Sequence, residues 1–296
     1  MITVMGATGH TGKQIAEGLL DAGERVRALG RSASKLAELR SAGADVLIGD
    51  ASDGAFLEKA FLGAEAAYTL LPTDPRSPDY RSEQDRQGEA IVSAIRDSGV
   101  RHVLALSSLG ADLREGTGLI AGLHAQEERL KRLEHTNVLL LRPASFFENF
   151  SLALGPIKQQ GIHADSVEPD LAIPMVATRD IAEVAAKALR ARDWQGIAVR
   201  ELLGPADLSY SEATRILGKC IGRPELKYVQ LSHADHAEAL VRAGLSESFA
   251  RLYVEMTRAF NEGVVRPRNG RTAENTTPTR FVNFARELAD AYAEAA

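Results

Sequence analysis

A single cysteine, Cys220, stands among 296 residues. It has no partner for an internal disulfide, and no CxxC or Cys/His cluster suggests structural zinc, so no metal is expected. Within Arg215-Ile216-Leu217-Gly218-Lys219-Cys220-Ile221 it reads as a small buried hydrophobe. No apolar run approaches the ~18 residues of a membrane span. Gly6, Gly9 and Gly12 interrupt the amino-terminal stretch, which excludes a signal-peptide reading. A basic excess is also missing: 35 Lys and Arg against 40 Asp and Glu give a formal charge of −5, which argues against nucleic acid or an anionic membrane as partner. A cytoplasmic globular protein is expected, since hydrophobic residues make up 45% of the chain and charged residues 25%.

What is present is an alternation of strand-like and helix-like segments. Ile2-Thr3-Val4-Met5, Arg25 to Leu29, Val46-Leu47-Ile48, Ala66 to Leu71, Val103 to Leu106 and Val138 to Leu141 read as strands. Several are unbroken apolar runs, the pattern of a parallel sheet covered by helices on both faces. Between them, Ile15 with Leu19 and Ala16 with Leu20 mark an amphipathic helix. Ser34 is a candidate cap for a short helix carrying Leu36 and Leu39, and Asp53 opens another. Ile91, Ala94 and Ile95 share a helix face; a further helix runs through Leu123, Leu130 and Leu133. The fold expected is α/β, an open doubly wound parallel sheet of the Rossmann type.

Beyond about residue 150, Gly155, Pro156, Gly161, Pro169 and Pro174 break the pattern, and helices then dominate. Residues 1–153 are read as the dinucleotide-binding domain, rejoined by 176–207, with Ile197–Leu203 as a late strand. Residues 154–175 and 208–296 are read as a smaller, mostly helical lobe that holds the substrate. The Ala-rich end, 289–296, reads as a fraying helix terminus.

Gly6-Ala7-Thr8-Gly9-His10-Thr11-Gly12 follows the first strand and opens the first helix. Glycines so placed allow a tight turn, close approach of a pyrophosphate to backbone N–H groups, and close packing of helix on strand. The helix N-terminus adds a partial positive charge. At the end of the second strand an NAD-selective site needs an acid to accept from the ribose 2′-hydroxyl. The sequence has Gly30-Arg31-Ser32-Ala33-Ser34-Lys35 instead. Arg31 can fork onto a 2′-phosphate, Lys35 adds charge, and Ser32 and Ser34 add hydroxyls, which favours NADP(H). Arg31 and Lys35 as a merely solvated helix start is the alternative.

The run Val4 to Gly12, then Gly49-Asp50, Ser107-Ser108, His124 with Glu128, and Leu141-Arg142-Pro143-Ala144-Ser145-Phe146-Phe147-Glu148-Asn149 occur in this order. With them the sequence resembles the NmrA-like branch of atypical short-chain dehydrogenases, from residue 1 to roughly 190 and more loosely beyond. The resemblance implies NAD(P)H binding. It also implies one of two activities, since the family holds quinone and dye reductases as well as redox-sensing regulators that bind the dinucleotide without turnover. It further implies that Asp50 and Ala51 meet the adenine, Leu71 and Pro72 line the adenosine side, Ser107 lies near the nicotinamide ribose, and Pro143, Ala144 and Phe146 flank the nicotinamide.

Typical short-chain dehydrogenases carry Tyr-x-x-x-Lys, in which the lysine lowers the tyrosine pKa for proton exchange. No tyrosine here has a lysine four positions on. With His124 in the lysine slot, the tyrosine slot falls on Ile120, which cannot donate a proton. Hydride transfer to a quinone or similar flat conjugated acceptor survives this loss, because positioning is then the enzyme's main task. Phe146, Phe147 and Phe150 are candidates for an apolar wall, although at least two of them suit the core. His124 is the candidate catalytic residue, with a structural role weighed equally. The alternative function is a non-catalytic NADP(H)-sensing regulator with a protein partner. Oligomeric state is not legible.

Overall fold

A computed structural model describes residues 1–294; the end of the expected fraying terminus, residues 295–296, lies outside the described residues. Strands β1 (Ile2–Val4), β2 (Val26–Gly30), β3 (Asp45–Ile48), β4 (Ala66–Thr69), β5 (His102–Leu106) and β6 (Asn137–Pro143) alternate with helices α1 (His10–Asp21), α2 (Ala37–Ser41), α3 (Gly54–Phe61), α4 (Tyr80–Ser98) and α5 (Leu119–Leu130). Next come β7 (Ser145–Phe146), a 3₁₀ turn (Phe147–Ala153), α6 (Leu154–Gln160), β8 (Ile162–Asp165), β9 (Ile173–Val176) and α7 (Thr178–Ala191). The chain closes with β10 (Ile197–Leu202), β11 (Asp207–Leu208), α8 (Tyr210–Cys220), β12 (Lys227–Gln230), α9 (His233–Arg242), α10 (Glu247–Asn261) and α11 (Phe281–Glu294).

Among the described residues the central sheet has seven strands in the order β10-β6-β5-β4-β1-β2-β3, all parallel. This is the doubly wound Rossmann-type α/β sheet, and every residue of β1 and β4 is buried. Ile15 and Leu19 are fully buried on α1, as their spacing predicts. Asp53 caps α3 by accepting from the Phe56 N–H (3.1 Å).

Three local expectations are corrected. Ser34 does not cap α2, because its hydroxyl pairs with that of Ser32 (3.0 Å) and the helix starts only at Ala37. Strand β4 stops at Thr69 rather than Leu71: its pairing with β1 ends at Tyr68 and that with β5 at Thr69, and Leu70 and Leu71 turn into the lining of the second cavity. The stretch expected to be irregular holds β8, which pairs in parallel with the distant β12.

A second core gathers Phe147, Phe150, Ile157, Met175, Leu217 and Phe281 on the carboxyl-terminal side. Phe147 and Phe150 both pack edge-on to Phe281, at 5.1 and 4.9 Å between ring centroids. Glu148, between them, accepts from the Thr178 N–H and hydroxyl (2.6 Å to the latter), tying the 3₁₀ turn to the start of α7.

Candidate cofactor cleft and acceptor cavity

The glycine loop leaves β1 at Met5, whose N–H still donates to the Tyr68 carbonyl (3.0 Å). Gly6 sits at φ +62°, and a Cβ there would lie 2.7 Å from a Leu70 methyl. At Gly12 a Cβ would stand 2.3 Å from the Gly6 carbonyl oxygen, so α1 approaches the strand as closely as backbone allows. No side chain caps α1. Its first-turn N–H groups therefore remain available to an anion. Thr11 shares a 2.9 Å hydrogen bond with the buried Tyr68 hydroxyl, whose phenol burial pushes well above its ordinary range.

A cleft of about 360 Å³ opens over this loop. Gly6, Thr8, Gly9, His10 and Thr11 form its floor, Gly30 and Arg31 enter from the end of β2, and Asp50 and Ala51 from the end of β3. Pro72 and Gln87 close another side. Apart from Gln87, in the middle of α4, these stand in or beside the loops between strand C-termini and helix N-termini, where ligands of doubly wound sheets bind. Arg31 is exposed, and among the described residues its guanidinium has no acidic partner. Asp50 accepts from the Ser52 hydroxyl (2.6 Å) and N–H (2.8 Å), which holds its carboxyl below the usual range; the Arg31 and Arg86 charges act in the same direction against desolvation. Gly12 lies behind the loop rather than on the surface of the cleft. Ser32 and Lys35 are not among its lining residues: the Ser32 hydroxyl is taken up by Ser34 and by the Lys35 N–H (3.4 Å).

A second cavity of about 290 Å³ adjoins the cleft, and Leu70, Leu106 and Phe146 line both. Leu71, Ser107, Ala144 and Ile120 line this second cavity, with Met256, Phe260 and Val265 facing them from the carboxyl-terminal segment. Its polar groups belong to Tyr80, Gln84, Ser107, Ser108, Ser145 and Asn149. Pro143 is buried beside Ala144 and lines neither space; its carbonyl accepts from the Leu109 N–H (3.0 Å). Of the three phenylalanines, Phe146 alone lines a cavity, because Phe147 and Phe150 turn into the second core.

His124 stands elsewhere. Its ring Nδ1 donates to the Ala111 carbonyl (2.9 Å), and it lines a separate, charged cleft of about 910 Å³ with Asp112, Glu128, Lys131, Arg142 and Arg268. Ile120 and Leu123 of α5 line the second cavity, whereas the bond to the Ala111 carbonyl directs the His124 ring into the charged cleft. Glu128, one turn on from His124, is a surface partner of Lys131 (2.8 Å). The buried acid is its neighbour Glu127. It accepts from the Ser107 hydroxyl (2.6 Å) and the Arg142 Nε (2.8 Å), and all three side chains are nearly inaccessible. The signal for this trio was the arginine of Leu141-Arg142-Pro143, a charge inside an apolar strand that demands a buried partner.

The profile of the NmrA-like family matches residues 1–281. This chain belongs to the NmrA-like family. It is 30% identical over 280 residues to the (4-alkanoyl-5-oxo-2,5-dihydrofuran-3-yl)methyl phosphate reductase of Streptomyces griseus, across 94% of this chain and 91% of that one. The NADPH-dependent quinone oxidoreductase of Escherichia coli, solved with NADPH, shares the fold with a TM-score of 0.76 at 22% identity, over 100% of this chain and 99% of the other. The triphenylmethane reductase of Citrobacter sp., solved with NADP(H), gives 0.76 at 22%, over 98% of this NmrA-like chain and 100% of its own.

Proposed function

We propose that this NmrA-like protein is an NADPH-dependent oxidoreductase that reduces a quinone or similar flat conjugated acceptor. The observation that carries the reading is the adjacency of the two spaces: a dinucleotide cleft and a largely apolar cavity sized for a small molecule share Leu70, Leu106 and Phe146 in their lining. A regulator needs only the first of these. The Streptomyces griseus relative is named for reduction of a furanone whose ring carries an acyl group, which is itself a conjugated acceptor.

When bound, NADPH supplies the hydride. The residues present suit it. The glycine-loop amides and the uncapped start of α1 hold the pyrophosphate, and Arg31 takes the 2′-phosphate. Asp50, Ala51 and Pro72 border the adenosine, and Phe146 holds the nicotinamide against the acceptor cavity. Ile120, in the tyrosine slot, contributes an apolar surface, so water is excluded there and no side-chain proton is offered from that position.

The test is NADPH consumption, followed by nicotinamide absorbance, with a panel of quinones and alkanoyl furanones. The reading stands if any of them is reduced faster than in the protein-free blank, and falls if none is. NADPH binding without turnover, joined to cofactor-dependent capture of a protein partner, would favour the regulatory alternative.

A further inference from the structure

We propose that the Tyr80 hydroxyl is the hydrogen-bond donor that fixes and stabilises the acceptor's carbonyl oxygen, in place of the tyrosine that Ile120 displaces. This rests on the reductase reading of the same cavity. Tyr80 opens α4 and lines the acceptor cavity together with Ile120 and Phe146. Its position is held at both ends: the backbone N–H donates to the Ser248 hydroxyl (3.1 Å), and the ring meets Phe249 edge-on, with centroids 5.3 Å apart.

Two of the serine hydroxyls of the cavity are spent on protein acceptors, and the Gln84 oxygen is occupied. Ser107 donates to Glu127 (2.6 Å), Ser108 to the Leu109 carbonyl (3.0 Å), and Gln84 accepts from Arg81 (3.1 Å). Asn149 is exposed and directed at Ser145 (3.5 Å). Among the donors that line the cavity, the Tyr80 phenol is more acidic than the serine hydroxyls and the Gln84 and Asn149 amides, so its O–H makes the strongest bond to an oxyanion. Burial pushes its phenol up to about 12, opposed by the Thr73 hydroxyl and the Arg81 charge, so near neutral pH it keeps its proton.

The step balances without a proton from the protein. A hydride from NADPH forms a C–H bond at the acceptor carbon, and the conjugated π pair moves to the carbonyl oxygen. NADPH is oxidised to NADP⁺ and the acceptor gains two electrons. The resulting oxyanion accepts the Tyr80 O–H bond inside an apolar cavity, where such a bond is strong. Water then supplies the proton that completes the product.

Tyr80→Phe removes one oxygen and keeps the ring against Phe249. The probe is para-nitrophenol, whose phenolate mimics the oxyanion and cannot be reduced by hydride at its oxygen-bearing carbon. With NADP⁺ present, wild-type protein is expected to bind the phenolate at least about tenfold more tightly than Tyr80→Phe, the loss typical of one hydrogen bond to a charged oxygen. The NADPH dissociation constant of the variant, expected to be unchanged, reports that it is folded. Equal phenolate affinity in the two proteins overturns the proposal, as does absence of phenolate binding to the wild type. Neither result touches the reductase reading, which wild-type turnover of menadione judges separately.

Discussion

The Ser107 hydroxyl donates to Glu127 across 2.6 Å of buried interior, joining the end of β5 to α5 beside the second cavity. Glu127 in turn neutralises Arg142 of β6. Removing one partner strands a charge in a low-dielectric interior. Glu127→Ala is expected to destabilise the fold by about 3–5 kcal/mol, measured by urea unfolding. The double variant Glu127→Leu/Arg142→Met is expected to recover most of that loss. A double variant no more stable than the single one would show that the trio is held by something other than charge pairing.

The glycine loop makes a sharper, local prediction. An alanine at Gly12 places a methyl 2.3 Å from the Gly6 carbonyl oxygen, which is backbone and cannot swing aside. Gly12→Ala should lower stability by about 1–3 kcal/mol and weaken NADPH binding as the loop shifts. Gly54→Ala is the control. It opens α3, its Cβ meets nothing within 4 Å, and alanine there is expected to stabilise by about 0.4–1 kcal/mol. Thermal denaturation of both variants decides the matter.

The features legible in the sequence are those whose cause is local. The glycine spacing, the Asp53 cap and the apolar runs of β1 and β6 each act within a few residues, so the sheet and the floor of the cleft can be read directly. What escapes depends on distant partners. Tyr80 becomes a cavity residue only because Ser248 and Phe249, from the other end of the chain, pin the start of α4. β8 exists only through β12. Motif spacing also stops short of a side chain's surroundings: it marks α5, but one residue separates the buried Glu127 from the surface Glu128, and only the distant Arg142 explains which acid is buried.

Arg31 gives the coenzyme prediction. An exposed guanidinium at the end of β2, in no ion pair with a carboxylate among the described residues, is suited to bind a phosphate rather than a ribose hydroxyl. Arg31→Ala should raise the NADPH dissociation constant about ten- to hundredfold, the cost of one hydrogen-bonded charge pair, and leave that of NADH nearly unchanged. Calorimetry with both coenzymes measures the ratio. An unchanged ratio removes Arg31 from the coenzyme site.

His163 sets a pH dependence of stability that is independent of the active site. Its ring is buried in the second core, meets the Thr214 hydroxyl at 2.6 Å, and burial pushes its pKa down to about 4. In the unfolded chain the same ring titrates near 6.5. The folded state therefore refuses a proton that the unfolded chain accepts. The stabilising difference is full above roughly pH 6.5 and is lost as pH falls from there toward 4. The size of the shift corresponds to about 3 kcal/mol across that window. Urea unfolding of the wild type should show this decline, and His163→Phe, which keeps an aromatic ring beside Phe150 and Tyr210, should show a flatter profile. Parallel curves for the two proteins would mean that His163 is not the group being titrated.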